Sequence, residues 1–177
     1  MRKLVLYTLL SLDGVAESPD RYVFDFDDEM YANLTRVIEA QDAVLLGRRT
    51  YDDWASYWPT SNDEPFAGFI NGVHKYVVTS TQPATLWTNT TVVTDAVPQF
   101  VRDLKEQPGG DIGVHGSIRL ARSLIGSGLA DELRLVIAPA LAGGGRKLFK
   151  DEDNLRKLEL LRAVGTPSGA LLVDYRV

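Results

Sequence analysis

The chain has 177 residues, 45% of them hydrophobic and 24% charged, with a formal net charge of −5. That is room for one packed domain of ordinary size, and the acidic balance without any basic run excludes a charged footprint for nucleic acid or an anionic membrane. The absence of cysteine, with only His74 and His115 as imidazoles, excludes disulfides, thiol nucleophiles and thiolate zinc sites, and argues against a histidine-built metal centre.

Met1-Arg2-Lys3 before an apolar run resembles the start of a secretion signal. The run ends at Ser11-Leu12-Asp13-Gly14, however, and no small-residue cleavage site follows. No stretch is long enough to span a bilayer. The expectation is a soluble, cytoplasmic protein.

Lys3 to Leu10 reads as a buried strand, followed by a long polar loop from Ser11 to Phe26 that Gly14 and Pro19 interrupt. Asp27, Asp28 and Glu29 crowd the start of a helix whose apolar face is Met30, Leu34, Val37 and Ile38. Ala43 to Leu46 is the second strand. A helix starts near Thr50 and stops at Tyr57-Trp58-Pro59, and a short one runs from Pro65 through Asn71. Lys75–Thr79 and Thr90–Thr94 are strands. Pro98 opens a helix that Pro108-Gly109-Gly110 ends. Asp111–Val114 is a strand, Ile118, Ala121, Leu124 and Ile125 mark a helix, and Leu133–Ala138 is a strand. Leu158–Val164 and Ala170–Val177 form a hairpin around Gly165-Thr166-Pro167-Ser168-Gly169. Strands alternating with helices predict one α/β domain with a mostly parallel sheet and an antiparallel edge.

Two turns carry the functional signal: Leu46-Gly47-Arg48-Arg49-Thr50 and His115-Gly116-Ser117-Ile118. Each leaves a buried strand and opens a helix. Free amides at a helix start bind phosphate oxygens. Two such turns, one with Arg48 and Arg49, suit a dinucleotide, whereas either glycine alone is equally well explained as a turn.

The order strand, Ser11-Leu12-Asp13-Gly14, acidic helix, Gly47-Arg48-Arg49-Thr50-Tyr51, Thr79-Ser80, His115-Gly116-Ser117 resembles the dihydrofolate-reductase-like superfamily. Asp131-Glu132-Leu133-Arg134-Leu135-Val136-Ile137-Ala138-Pro139, followed by Gly143-Gly144-Gly145-Arg146, resembles in particular the reductase domain of the bifunctional riboflavin-biosynthesis deaminase-reductase. The resemblance implies a mixed central sheet flanked by helices, NADPH as cofactor, and a homodimer. It implies that Gly47, Arg48, Arg49, Thr50, Thr79, Ser80, Gly116, Ser117 and Ile118 bind the cofactor. It also implies that Ser11 to Ala16 form a lid over the nicotinamide. The chain departs from that family at Tyr51–Pro59, where an Arg-x-Asp-x-Pro run for a substrate phosphate is replaced by Tyr51-Asp52-Asp53-Trp54-Ala55-Ser56-Tyr57-Trp58-Pro59.

Hydride transfer needs alignment and a proton path more than reactive side chains. Asp13 is the first candidate for the site acid, against an ordinary role in an Asp-Gly turn. Trp58, Glu29 and Arg146 are weaker candidates for the substrate. Trp54 reads as core or dimer surface and His115 as a structural histidine. The expected activity is reduction of a C=N or C=O bond in a small heterocyclic or sugar-linked substrate, as in 5-amino-6-(5-phosphoribosylamino)uracil reduction. The alternatives are a dihydrofolate or other pteridine reductase and a non-catalytic nucleotide-binding module.

Overall fold

The computed structural model describes residues 1–150 and 154–177. The elements are β1 (Leu4–Ser11), α1 (Asp28–Glu39), β2 (Gln41–Gly47), α2 (Arg48–Tyr57), α3 (Phe66–Gly72), β3 (His74–Val78), β4 (Thr90–Val93), α4 (Val97–Glu106), β5 (Asp111–His115), α5 (Ile118–Gly126), β6 (Glu132–Ala138), β7 (Glu159–Gly165) and β8 (Leu171–Arg176). Short 3-10 turns occupy Pro19–Arg21 and Trp58–Thr60. The strands form one sheet in the order β4-β3-β2-β5-β1-β6-β8-β7. Every pair from β4 to β6 is parallel, and the β6-β8 and β8-β7 pairs are antiparallel. The expected mixed sheet with a terminal hairpin is therefore present.

Burial on both faces explains the apolar content of the central strands. One face, with Leu4, Leu6, Leu45, Ile112 and Val114, packs on Val101 and Leu104 of α4 and Leu120, Ala121 and Leu124 of α5. On the other, Tyr7, Val136 and Leu172 meet Met30, Leu34 and Val37 of α1. Beside them, Val44, Leu46 and Val77 meet Tyr51 and Ala55 of α2 and Ile70 of α3. The start of α1 is closed by Asp27, whose Oδ1 accepts from Met30 N at 2.9 Å and whose Oδ2 accepts from Ser168 N at 2.9 Å. Lys75, fully buried on β3, closes the other end of α3. Its Nζ donates to the carbonyls of Ile70 and Val73 at 2.9 Å each and stands 4.6 Å from the Trp87 ring centre. Burial lowers its pKa to about 8.

The amino ends of the parallel strands carry a network of matched charges. Arg2 pairs with Asp42, and Lys105 Nζ lies 2.6 Å from Asp131 Oδ2. Glu132 accepts from Lys3 Nζ at 2.7 Å and from Arg134 Nη2 at 2.8 Å, and Arg134 Nη2 also lies 3.6 Å from Asp111.

Candidate functional site

At the carboxyl ends of β1, β2 and β5 lies a cavity of about 620 Å³. Loops and helix starts gather there in open α/β sheets. Tyr7, Thr8 and Leu9 of β1 and His115 of β5 line it, opposite side chains of α1, α2 and the loop through Glu17.

The pairing of β2 with β5 brings the two sequence-predicted turns into contact. Gly47 N donates to Ser117 Oγ at 2.9 Å, and Thr50 Oγ1 donates to the Gly116 carbonyl at 3.2 Å. Gly47, in extended conformation, is the N-cap of α2, so this helix begins two residues earlier than Thr50. Gly116 has φ +61°, and a Cβ there would lie 2.8 Å from Trp54 Cζ2. Glycine is required on both counts. Neither α2 nor α5 receives a hydrogen bond from a capping side chain at its start, in contrast to α1. Two helix starts with open amides thus face one cavity, a donor set that fits the phosphates of a dinucleotide.

Arg49, Thr50, Gly116, Ile118, Trp58 and Arg146 line the cavity, whereas Gly47 and Ser117 stand behind it as the link between turns. Arg48 turns toward the loop after β3. Its Nη1 donates to Thr81 Oγ1 at 2.8 Å and to the carbonyls of Thr81 and Gln82, and its Nε donates to Asp52 at 2.7 Å. Thr79 Oγ1 lies 3.5 Å from the same nitrogen, and Ser80 is exposed; neither lines the cavity. Arg146 is held by Glu17, whose Oε1 accepts from its Nε and Nη2 at 2.8 Å each.

Two sequence candidates sit elsewhere. Asp13 is not in the lining. Its Oδ1 accepts from Ser11 Oγ at 2.5 Å and Ala142 N at 2.9 Å, and its Oδ2 accepts from Gly143 N at 2.9 Å. These bonds, Ser11's foremost, lower its pKa to about 2. The carboxylate is committed to clasping the Ser11 loop onto the Gly143 loop. Glu29 is exposed and also outside the lining, because the phase of α1 that buries Met30 and Leu34 turns it away. The Ser11–Ala16 loop does border the cavity, through Ala16, and continues along it with Glu17, Ser18 and Pro19.

Sequence reasoning missed Tyr7, Asp53, Asp63, Glu64 and Phe66, and it favoured core or dimer surface for Trp54, which packs against the core beside Tyr51 and Ala55 and also lines the cavity. Tyr7 is only 4% exposed; its ring lines the cavity, and its hydroxyl lies by Asn33, Arg36 and Asp174, which are outside the lining. Burial pushes its pKa far up, so the hydroxyl stays protonated. His115 is structural as well as lining. Its Nε2 lies 2.8 Å from Gln41 Oε1, and burial lowers its pKa to about 3, leaving a neutral ring. Among the described residues no group of three or more potential ligands is placed to hold a metal ion, and no helix is long and apolar enough to cross a membrane.

A mostly parallel eight-stranded sheet closed by an antiparallel hairpin, with a cavity between two open helix starts, defines a dihydrofolate-reductase-like α/β domain. The chain belongs to the RibD C-terminal domain family, whose model matches residues 2–172. It is 29% identical over 180 residues to the uncharacterized protein YyaP of Bacillus subtilis (strain 168), covering 98% of this chain and 94% of that one. It superposes on a Shewanella sp. PV-4 protein named for riboflavin biosynthesis, with TM-score 0.79 and 17% identity over 99% of each chain. It also superposes on the diaminohydroxyphosphoribosylaminopyrimidine deaminase/5-amino-6-(5-phosphoribosylamino)uracil reductase of Thermotoga maritima, with TM-score 0.69 and 15% identity over 99% of this chain and 56% of that one.

Proposed function

We propose that this protein is a nicotinamide-dependent reductase of the riboflavin-reductase type, with NADPH as its cofactor and a C=N or C=O bond of a small heterocyclic or sugar-linked molecule as its target. Family membership supports a reductase with a nucleotide cofactor. The observation that carries the reading is the convergence of two uncapped helix starts, tied together by Ser117 and Thr50, on one cavity.

When bound, NADPH supplies the hydride. The amides at the starts of α2 and α5 hold its phosphates, and Gly116 lets the backbone approach them. Arg49 is exposed and has no ion-pair partner among the described residues, and Arg48 is braced by Asp52 beside it. Together they hold a 2′-phosphate, the group that separates NADPH from NADH. Thr79 and Ser80 follow β3 on the side that Arg48 reaches, and we assign them to the adenosine end. Asp13 is a positioning residue: it fixes the loop that covers the nicotinamide rather than delivering a proton.

The test is titration of the purified protein with NADPH and NADH in parallel, followed by nicotinamide fluorescence. Saturable binding with clear preference for NADPH is expected. Equal affinity would remove the 2′-phosphate assignment, and no binding of either would overturn the reductase reading.

A further inference from the structure

The cavity wall built by α2, α3 and the turn between them has a chemistry unlike that of the two glycine turns. From Thr50 to Val73 the chain contains no lysine, arginine or histidine. The same stretch contributes the carboxylates of Asp53, Asp63 and Glu64 to the cavity. Two of them are held in place. Asp63 Oδ2 accepts from Tyr57 Oη at 2.5 Å and Ser61 Oγ at 3.0 Å, and Glu64 Oε2 accepts from Gly68 N at 3.1 Å. Asp53 is exposed, and its carboxylate has no partner among the described residues. The two arginines of the lining belong to other parts of the site. Arg49 stands on the first turn of α2, and Arg146 is neutralised by Glu17.

Aromatic rings fill the space between these carboxylates. Trp54, Trp58 and Phe66 meet at steep angles, with ring centres 4.9–5.9 Å apart. Phe26 and Tyr31 make a second edge-to-face pair in the same lining. Such a corner offers ring faces and edges to a flat guest. The Trp58 Nε1, buried and without a hydrogen-bond partner among the described residues, belongs to the same lining and is a polar group that still needs an acceptor.

We infer that this wall receives a planar heteroaromatic ring that bears amino groups or a positive charge and carries no phosphate. The inference rests on the reading above, because the cofactor at the glycine turns leaves this wall to the substrate. Amino groups on the ring donate to the carboxylates, and a cationic ring gains further from the aromatic faces. The Trp58 Nε1 donates to a ring nitrogen or carbonyl. A phosphate ester would instead bring a second anion among three carboxylates, where Arg49, one turn before Asp53, is the nearest cation and is taken by the 2′-phosphate of the cofactor. Asp53, Asp63 and Glu64 are therefore the residues that set specificity.

Calorimetric titration of the NADPH-saturated protein tests this with matched pairs. The probes are 6-hydroxymethylpterin and thiamine, each against its own phosphate monoester. Each unphosphorylated ring is expected to bind at least about tenfold more tightly than its ester. The exposed Asp53 can be replaced without disturbing the fold, and Asp53→Lys should bring each ester to within about threefold of its parent when both are measured on NADPH-saturated protein. Equal or tighter binding of the esters to the unaltered protein, or no binding of either parent ring, overturns the inference while NADPH binding persists. Loss of NADPH binding itself in the unaltered protein overturns the reductase reading and this inference with it.

Discussion

At the amino ends of β1, β2, β5 and β6 the charges are matched in pairs, and at the carboxyl ends of the same strands polar groups stand open. Arg2, Lys3, Lys105 and Arg134 each have a carboxylate within reach at the first end. At the other, among the described residues, the starts of α2 and α5 receive no side-chain cap, and the exposed Asp53 and Arg49 face the cavity without an ion-pair partner. Helix amides and charges left without protein partners around a cavity are available to a ligand. The contrast separates residues that hold the sheet from residues that serve the cavity, without reference to any relative.

The largest effect should come from breaking the matched end. Glu132→Ala leaves Arg134, only 8% exposed, without its nearest carboxylate. A loss of about 3 kcal/mol in denaturant-measured stability is expected, with NADPH affinity unchanged in protein that remains folded. Paired replacement of Arg48 and Arg49 by alanine should do the reverse. NADPH binding is expected to weaken by about 2 kcal/mol with little loss for NADH, and equal losses for both nucleotides would sink the 2′-phosphate assignment. Gly116→Ala forces a left-handed residue against Trp54 and should cost about 1–2 kcal/mol of stability together with most of the cofactor affinity.

Two smaller effects depend on pH. His115 has a folded pKa near 3 against 6.5 for the free side chain, so the unfolded chain binds more protons in that window. The stability that its neutral ring contributes is complete above pH 6.5 and is lost as pH falls toward 3. A titration of unfolding free energy against pH should flatten in that range for His115→Asn. Asp13 works in the same direction lower down. Its contribution is present above its ordinary value of 3.8 and is lost as pH falls through about 2. Hydrogen exchange at the Ala142 and Gly143 amides should rise there, and should already be raised at neutral pH in Asp13→Asn.

The order and type of the elements were legible because the central strands are apolar and the helices change period sharply, as at Met30, Leu34 and Val37 on α1. The two glycine turns were legible because a strand, a glycine and a helix start are local features. What failed was whatever depended on distant partners. An Asp-Gly pair reads the same whether its carboxylate is free or, like that of Asp13, engaged by amides at Ala142 and Gly143. Tyr7 lies in an apolar strand run and gives no sign that its side chain borders a cavity. Trp54 resembles core because α2 buries Tyr51 and Ala55 on neighbouring positions, and only the turn at Gly116 exposes it to the site. Asp53, Asp63 and Glu64 left one usable trace, the stretch without a cation between Thr50 and Val73.

The bonds from Gly47 to Ser117 and from Thr50 to Gly116 also have a mechanical meaning. They weld the starts of α2 and α5 into a single fixed jaw, seated on two neighbouring strands of the sheet. The opposite jaw is two loops zipped together by Asp13, by the Glu17–Arg146 pair and by a bridge between Val15 and Lys147. Damage to either half of the first jaw is therefore felt by both.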